Sequence, residues 1–257
     1  ELRTFWYQSP AIPFYQRRTV YLYSNGMKID VIILAGGLGT RLAAVVSDVP
    51  KPMAPVAGKP FLDHIFKGLP LNSIHRIILA VGHKYEKIEE YYGNDYQGTP
   101  LVYSIEKEPL GTGGGIALAM NHIEMDTAII LNGDTFFDIN LEEMWQVHQE
   151  AKGRCTLALK QMEKPDRYGT VVLESNQLVR FQEKQVGLPT GLINGGVYWV
   201  DKSFIDLMPQ KDKFSFEEEV LQVQVAHGEL NGYIATGMFI DIGIPADYER
   251  AQTIFAQ

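Results

Sequence analysis

The chain has 257 residues, 46% of them hydrophobic, with a formal net charge of −8 and a single cysteine, Cys155; this length and apolar content suffice for one large α/β domain, or at most two. The acidic balance leaves no basic stripe to displace counterions from nucleic acid, and the lone cysteine excludes an internal disulfide and suits a reducing cytoplasm. No apolar run approaches the roughly 18 residues needed to cross a bilayer, so a soluble cytoplasmic protein is expected, with neither nucleic acid nor membrane as a partner.

Residues 1–26 differ in character from the rest of the chain. They are aromatic and proline-containing, with Arg17 and Arg18 and a Ser24-Asn25-Gly26 turn ahead of Met27. They lack the cationic start, apolar centre and small-residue cleavage site of a secretory signal. They are expected to form an extension, native or introduced, before a natural start at Met27, with one domain over 27–257. A homodimer stays open, since those aromatics are free to pack on the domain or on a second copy.

From Met27 onward strand-like and helix-like segments alternate. Lys28–Leu34 has the continuous apolar pattern of a strand buried on both faces. The spacing then predicts a helix over Phe61–Leu69, a strand over Arg76–Val81, a helix over Tyr85–Tyr92 and a strand over Leu101–Ile105. A helix over Gly114–His122 and strands over Ala128–Leu131, Cys155–Leu159 and Leu178–Phe181 come next. Cys155 itself reads as core. This βαβ rhythm implies a mainly parallel sheet with helices on both faces and ligands at the carboxyl ends of the strands.

The first such end carries the strongest signal. Leu34-Ala-Gly-Gly-Leu-Gly-Thr-Arg41 leads on to Lys51 within Pro50-Lys-Pro52. Gly36, Gly37 and Gly39 let successive N–H groups turn toward one anion, and Arg41 and Lys51 add full positive charges. Leu42 stands where a dinucleotide fingerprint wants its third glycine, and the Gly-Lys-Ser/Thr ending of a Walker A loop is absent, so a polyphosphate cradle of another kind is expected.

Later strand ends add groups of matching chemistry. Asp134 follows a buried strand after Gly133, and Asp241 has the same apolar approach in Met238-Phe-Ile-Asp241. Each alone also fits a turn or helix cap, but as a pair beside the glycine turn they suit Mg²⁺, which takes one or two carboxylates plus phosphate oxygens. A second glycine-rich loop, Glu106-Lys-Glu-Pro-Leu-Gly-Thr-Gly-Gly-Gly115, is expected to be open to ligand. A carboxylate there, Glu108 by preference, would accept the N1–H and 2-amino protons of guanine. Lys184 after Phe181-Gln-Glu183 fits a surface lysine equally well.

Taken in order, these motifs resemble the sugar-1-phosphate nucleotidyltransferases, or NDP-sugar pyrophosphorylases, across essentially all of 27–257. Asn194-Gly-Gly196 and Phe239-Ile-Asp-Ile-Gly-Ile-Pro-Ala-Asp-Tyr248 complete the set, and Ile244 departs from the threonine that many relatives carry. Within that family Tyr103–Gly114, Leu131–Ile139, Ala158–Met162 and Lys213–Glu217 look like the guanylyltransferase branch acting on a manno-heptose 1-phosphate, with the mannose 1-phosphate branch as the alternative. The resemblance implies a Rossmann-like, GT-A-like three-layer α/β/α fold with a mixed, mainly parallel sheet, and substrates GTP and a sugar 1-phosphate. It implies nucleotide contacts from Leu34, Ala35, Gly36, Gly37, Gly39, Thr40, Glu108, Gly111 and Thr112. Arg41 and Lys51 would stabilise departing pyrophosphate and Lys184 would grip the acceptor phosphate. Asp134 and Asp241 would hold Mg²⁺, and Asn132, Gly133, Glu183, Asn194 and Gly195 would line the sugar. A non-catalytic regulatory subunit of the same fold is the reading from another class; the retained charged groups argue against it.

Overall fold

Strand β1 (Ile29–Leu34) is buried from Ile29 to Ile33, and its side chains feed two separate cores. Val31 and Ile33 belong to one apolar cluster and Ile32 to the other, as the two-residue period of a strand covered on both faces requires. The computed structural model describes Gly26 and residues 28–37, 48–182 and 184–256. The expected extension over residues 1–26 therefore lies, Gly26 aside, outside the described residues.

In chain order β1 is followed by β2 (Pro55–Val56), β3 (Lys59–Pro60), α1 (Phe61–Lys67), β4 (Ile74–Val81) and α2 (Glu86–Tyr92). Then come β5 (Asp95–Tyr96), β6 (Thr99–Ile105), α3 (Gly111–Met120), β7 (Thr127–Asn132), β8 (Thr135–Phe137) and α4 (Leu141–Glu150). The second half holds β9 (Cys155–Glu163), β10 (Thr170–Glu174), β11 (Gln177–Gln182), β12 (Thr190–Asp201), α5 (Gln222–Val225), β13 (Leu230–Ala235), β14 (Phe239–Asp241) and α6 (Pro245–Phe255).

Ten of these strands form one sheet in the order β10-β11-β13-β9-β12-β7-β1-β4-β6-β5. β1 is parallel to β4 and β7, and β4 is parallel to β6. β12 then runs antiparallel to both β7 and β9, while β13 is parallel to β9. The sheet is thus mixed, with its parallel character concentrated in the half that carries the glycine turn. Residues of α1, α2, α4 and α6 pack on one face, and α3 with the 204–221 segment packs on the other, giving three layers.

The expected strands are present with ends shifted by a few residues, and Cys155 is a buried free thiol whose pKa burial pushes up. The helix expected over Gly114–His122 begins at Gly111 instead. Glycines disfavour a helix, but here tertiary contact overrides propensity. Gly113 N–H donates to Phe214 O and Phe214 N–H to Leu110 O, each at 3.0 Å, drawing the helix start against the 212–216 segment. A Cβ on Gly114 would lie 2.1 Å from Asp212 O. The second glycine-rich loop is therefore packed where an open loop was expected. Among the described residues no helix is long and apolar enough to cross a membrane.

Ala exceeds Gly in helix propensity by about 1 kcal/mol, so a helix free of neighbours would gain from Gly114→Ala. We predict the reverse, a loss of about 1–3 kcal/mol from overpacking in urea denaturation. A gain would show that the 212–216 segment yields freely.

Candidate functional site

Three parallel strand ends are tied at one point. Ala35 N–H, just past β1, donates to Ala80 O of β4 at 2.7 Å, and Gly133 N–H, just past β7, donates to Leu34 O at 3.0 Å. Gly133 must lack a side chain, since a Cβ there would lie 2.4 Å from Leu34 O. Gly36 is also closely approached, with Gly82 N and Glu106 Oε1 at 3.1 and 3.3 Å from where its Cβ would be. Leu34 is half-buried, Ala35 buried, and Gly37 exposed at the described end of the turn. Gly39, Thr40 and Arg41 lie outside the described residues.

Asp134 and Asp241 are brought together by a short antiparallel ladder. β14 pairs with β8 so that Asp241 stands opposite Thr135, and Ile242 N–H donates to Asp134 O at 3.0 Å. Lys51 reaches the same place from a single 3₁₀ turn, Lys51–Met53, flanked by Pro50 and anchored through buried Met53. Its ammonium lies 2.5 Å from Asp134 Oδ2 and 3.9 Å from Asp241 Oδ1. Thr135 Oγ donates to Asp134 Oδ1 at 3.1 Å and Gly243 N–H to Asp241 Oδ1 at 2.7 Å, which orients both carboxylates. Burial pushes the Asp241 carboxyl above its ordinary value, the Asp134 charge adds to this, and Lys51 opposes it.

Two carboxylates and one ammonium suit a divalent cation completed by a substrate. Among the described residues no third His, Cys, Asp or Glu joins them. Mg²⁺ prefers this poverty of protein ligands, because it keeps waters and takes phosphate oxygens for its remaining positions. Asp134 and Asp241 thus fit Mg²⁺ as the expected pair.

On the β6 side the structure distinguishes two carboxylates. Glu108 is exposed, whereas Glu106, directly after β6, is half-buried and faces Gly36. Glu106 Oε2 accepts from Leu110 N–H at 3.1 Å, and burial still pushes its carboxyl up despite that bond. Gly111, at a φ of +73°, and Thr112 are exposed beside it, and Thr112 Oγ accepts from Phe216 N–H at 3.0 Å. Motif reasoning chose Glu108 and passed over Glu106, the carboxylate turned toward Gly36. A signal was available, because the position just past a parallel strand points at the ligand crevice.

On the other side of Asp134 the expected sugar residues divide. Asn132 ends β7 and abuts Gly196, whose φ is +71° and whose Cβ would lie 2.4 Å from Asn132 Nδ2. Asn194 is engaged internally: its amide donates to Tyr198 Oη at 2.8 Å and accepts from Gly196 N–H at 3.1 Å, bracing a bulge in β12. Gly195 leaves room for the Phe137 ring, 2.4 Å from a Cβ placed there. Lys184 is exposed, with no ion pair among the described residues, and Glu183 lies outside them.

A profile of the nucleotidyl transferase family matches residues 30–257. The chain is 46% identical over 224 residues to a D-glycero-alpha-D-manno-heptose 1-phosphate guanylyltransferase of Aneurinibacillus thermoaerophilus, covering 87% of this chain and 97% of that protein. A protein of the same description from Campylobacter jejuni is 46% identical over 220 residues, covering 86% and 97%. The fold superimposes on the crystal structure of HddC from Yersinia pseudotuberculosis complexed with GMP-PN at a TM-score of 0.76 and 35% identity, over 88% of this chain and 99% of that one.

The raised Asp241 carboxyl has a consequence for stability. A carboxyl that binds its proton more readily folded than unfolded loses stability as pH rises from the ordinary carboxylate range through its folded value. Asp241→Asn removes that loss while keeping an oxygen for Gly243. We predict a higher unfolding midpoint for the metal-free variant at neutral pH, with the gain shrinking as pH falls into the ordinary carboxylate range. No gain at neutral pH would contradict the electrostatic account of this carboxylate.

Proposed function

The chain belongs to the nucleotidyl transferase family and is a sugar-1-phosphate nucleotidyltransferase, and from that premise we propose that it transfers GMP from GTP to D-glycero-D-manno-heptose 1-phosphate, releasing pyrophosphate. The observation that carries the chemistry is the Lys51 ammonium held between Asp134 and Asp241 beside the glycine turn. The choice of base and sugar is supported by the 46% identity to guanylyltransferases of that acceptor over nearly their whole length. Cys155, a buried free thiol, is compatible with a cytoplasmic setting.

In this reading a phosphate oxygen of the acceptor attacks the α-phosphorus of GTP in line. The new bond forms from that oxygen as the bond from the α-phosphorus to the bridging β-phosphate oxygen breaks, and its electron pair leaves with pyrophosphate. No general base is needed, because a phosphate monoester is already largely ionised at neutral pH. Mg²⁺, when held by Asp134 and Asp241, supplies charge that offsets repulsion among the phosphates. The N–H groups of Gly36, Gly37, Gly39 and Thr40 cradle the triphosphate, with Leu34 and Ala35 setting the turn. Lys51 and Arg41 meet the charge that develops on the leaving pyrophosphate. Lys184, exposed and without an ion pair among the described residues, holds the acceptor phosphate, and Asn132, Gly133, Glu183, Asn194 and Gly195 shape the sugar side.

Glu106 takes the base-reading role first expected of Glu108. A half-buried carboxylate with a single backbone donor is poised for a ligand that brings two more, and guanine offers N1–H and the 2-amino group side by side. Adenine and the pyrimidines lack that pair of donors. Gly111 and Thr112 border the same position.

Pyrophosphate release measured with each nucleoside triphosphate against manno-heptose, mannose and glucose 1-phosphates tests the proposal. GTP with the heptose phosphate is expected to give the highest kcat/KM, and a higher value for any other pairing would overturn it. Asp134→Asn and Lys51→Ala are each expected to lower kcat by about 10²–10³. For the base, ITP lacks only the 2-amino group. Glu106→Ala is therefore expected to shrink the preference for GTP over ITP by about 10-fold or more. An unchanged preference would move base reading to the backbone near Gly111.

A further inference from the structure

The sheet order places Asp134 between two halves of the crevice. On one side β1, β4 and β6 present Gly36, Gly82 and Glu106; on the other lie β12, β9 and the loop into β10. With the nucleotide on the first side, the acceptor sugar is left the second. There a cleft of about 260 Å³ opens directly beside Asp241, lined by Met162, Arg167, Tyr168, Phe239, Asp247 and Arg250 among others.

Its walls have the chemistry that recognises hydroxyl groups. Arg167 Nη2 donates to Asp247 Oδ2 at 2.6 Å, and Arg250 Nη1 stands 3.7 Å from Asp247 Oδ1. The Arg167 guanidinium carbon lies 5.4 Å from the centre of the Tyr168 ring, which meets Phe239 edge-on at 6.2 Å. An arginine–carboxylate couple offers donors and an acceptor side by side, the complement of two hydroxyls on neighbouring carbons. The aromatic rings provide an apolar wall for the C–H groups between them. The last sequence motif spans Phe239 and Asp247 without giving either side chain a role, and Arg167, Tyr168 and Arg250 lie outside every motif.

A manno-heptose differs from mannose in one respect only: its exocyclic arm carries an adjacent pair of hydroxyls where mannose has a single one. Contacts to the phosphate or the ring therefore cannot separate the two, and selectivity must arise where the arm ends. Asp241 itself lines the cleft, so a sugar whose phosphate lies near the aspartate pair has the cleft beside it. We infer that the Arg167–Asp247 couple and the Tyr168 ring receive the glycol arm of the heptose and are the specificity determinants between a heptose and a hexose 1-phosphate. This rests on the reading that the acceptor is a manno-heptose 1-phosphate.

The test is the ratio of kcat/KM for heptose 1-phosphate to that for mannose 1-phosphate, at saturating GTP and Mg²⁺, in the wild type and in Arg167→Met. The variant keeps the aliphatic stem and removes the donors, and half of the Arg167 side chain is already exposed, so the fold tolerates it. The wild type is expected to favour the heptose by about 10-fold or more, the scale on which one carbon is discriminated. Arg167→Met is expected to cut that ratio about 10-fold, mainly through KM for the heptose. Asp247→Asn should act in the same direction, and if it loses the fold, Arg167→Met decides alone. A ratio that survives Arg167→Met, whether both sugars fall together or neither does, overturns the cleft assignment while leaving the acceptor reading intact. A wild type without any heptose preference overturns the acceptor reading, and this inference with it.

Discussion

The ammonium of Lys51 between two aspartates is the interaction on which the site depends. Asp134 and Asp241 arrive from strands more than a hundred residues apart, and the β8–β14 ladder leaves them little freedom to separate. Burial pushes the Asp241 carboxyl up, and the charge of the neighbouring Asp134 pushes it further. The Lys51 ammonium between them opposes this shift without cancelling it, and the same need for positive charge suits the pair to a cation. The arrangement is costly for the free fold and useful to a reaction that gathers phosphate groups, as strained electrostatics at a functional site generally are.

Close backbone approach is the constraint that aims these groups. Gly133 lies against Leu34 and Gly36 against Gly82, so the start of the glycine turn is tied both to the Asp134 turn and to the end of β4. Gly113 and Gly114 let α3 start against residues 212–216, which places Gly111 and Thr112 beside Glu106. In both places the missing Cβ serves packing between chain segments, and the ligand side gains from it indirectly. The crevice is consequently built from strand ends and helix starts locked to each other, the preorganisation that charge stabilisation needs.

Much of this was legible in the sequence, and the reasons differ by element. The apolar run before the glycine turn forces a strand covered on both faces, so β1 and the turn after it could be read directly. The pairing of Asp134 with Asp241 was legible because each follows such a strand with a glycine nearby, and the β8–β14 ladder brings the two together. Glu106 was not, since choosing between Glu106 and Glu108 requires knowing where β6 ends and which residue turns toward Gly36. The start of α3 at Gly111 was hidden because propensity argues against it and only contact with Phe214 explains it. Asn194 carried a family signal for sugar, but its amide is engaged with Tyr198 and Gly196, a use that spacing does not reveal. Arg167 and Asp247 meet across 80 positions, and nothing local announces their pairing.

In the proposed reaction Asp134 and Asp241 form the cation seat where nucleotide and acceptor meet. Mn²⁺ bound in the presence of GTP, followed by electron paramagnetic and electron–nuclear double resonance, reads this directly without turnover. A protein-bound Mn²⁺ coupled to ³¹P of the nucleotide is expected in the wild type, with loss of that bound signal in the Asp134→Asn, Asp241→Asn double variant. An unchanged bound signal in the double variant would place the cation elsewhere and rule out the aspartate pair as its seat.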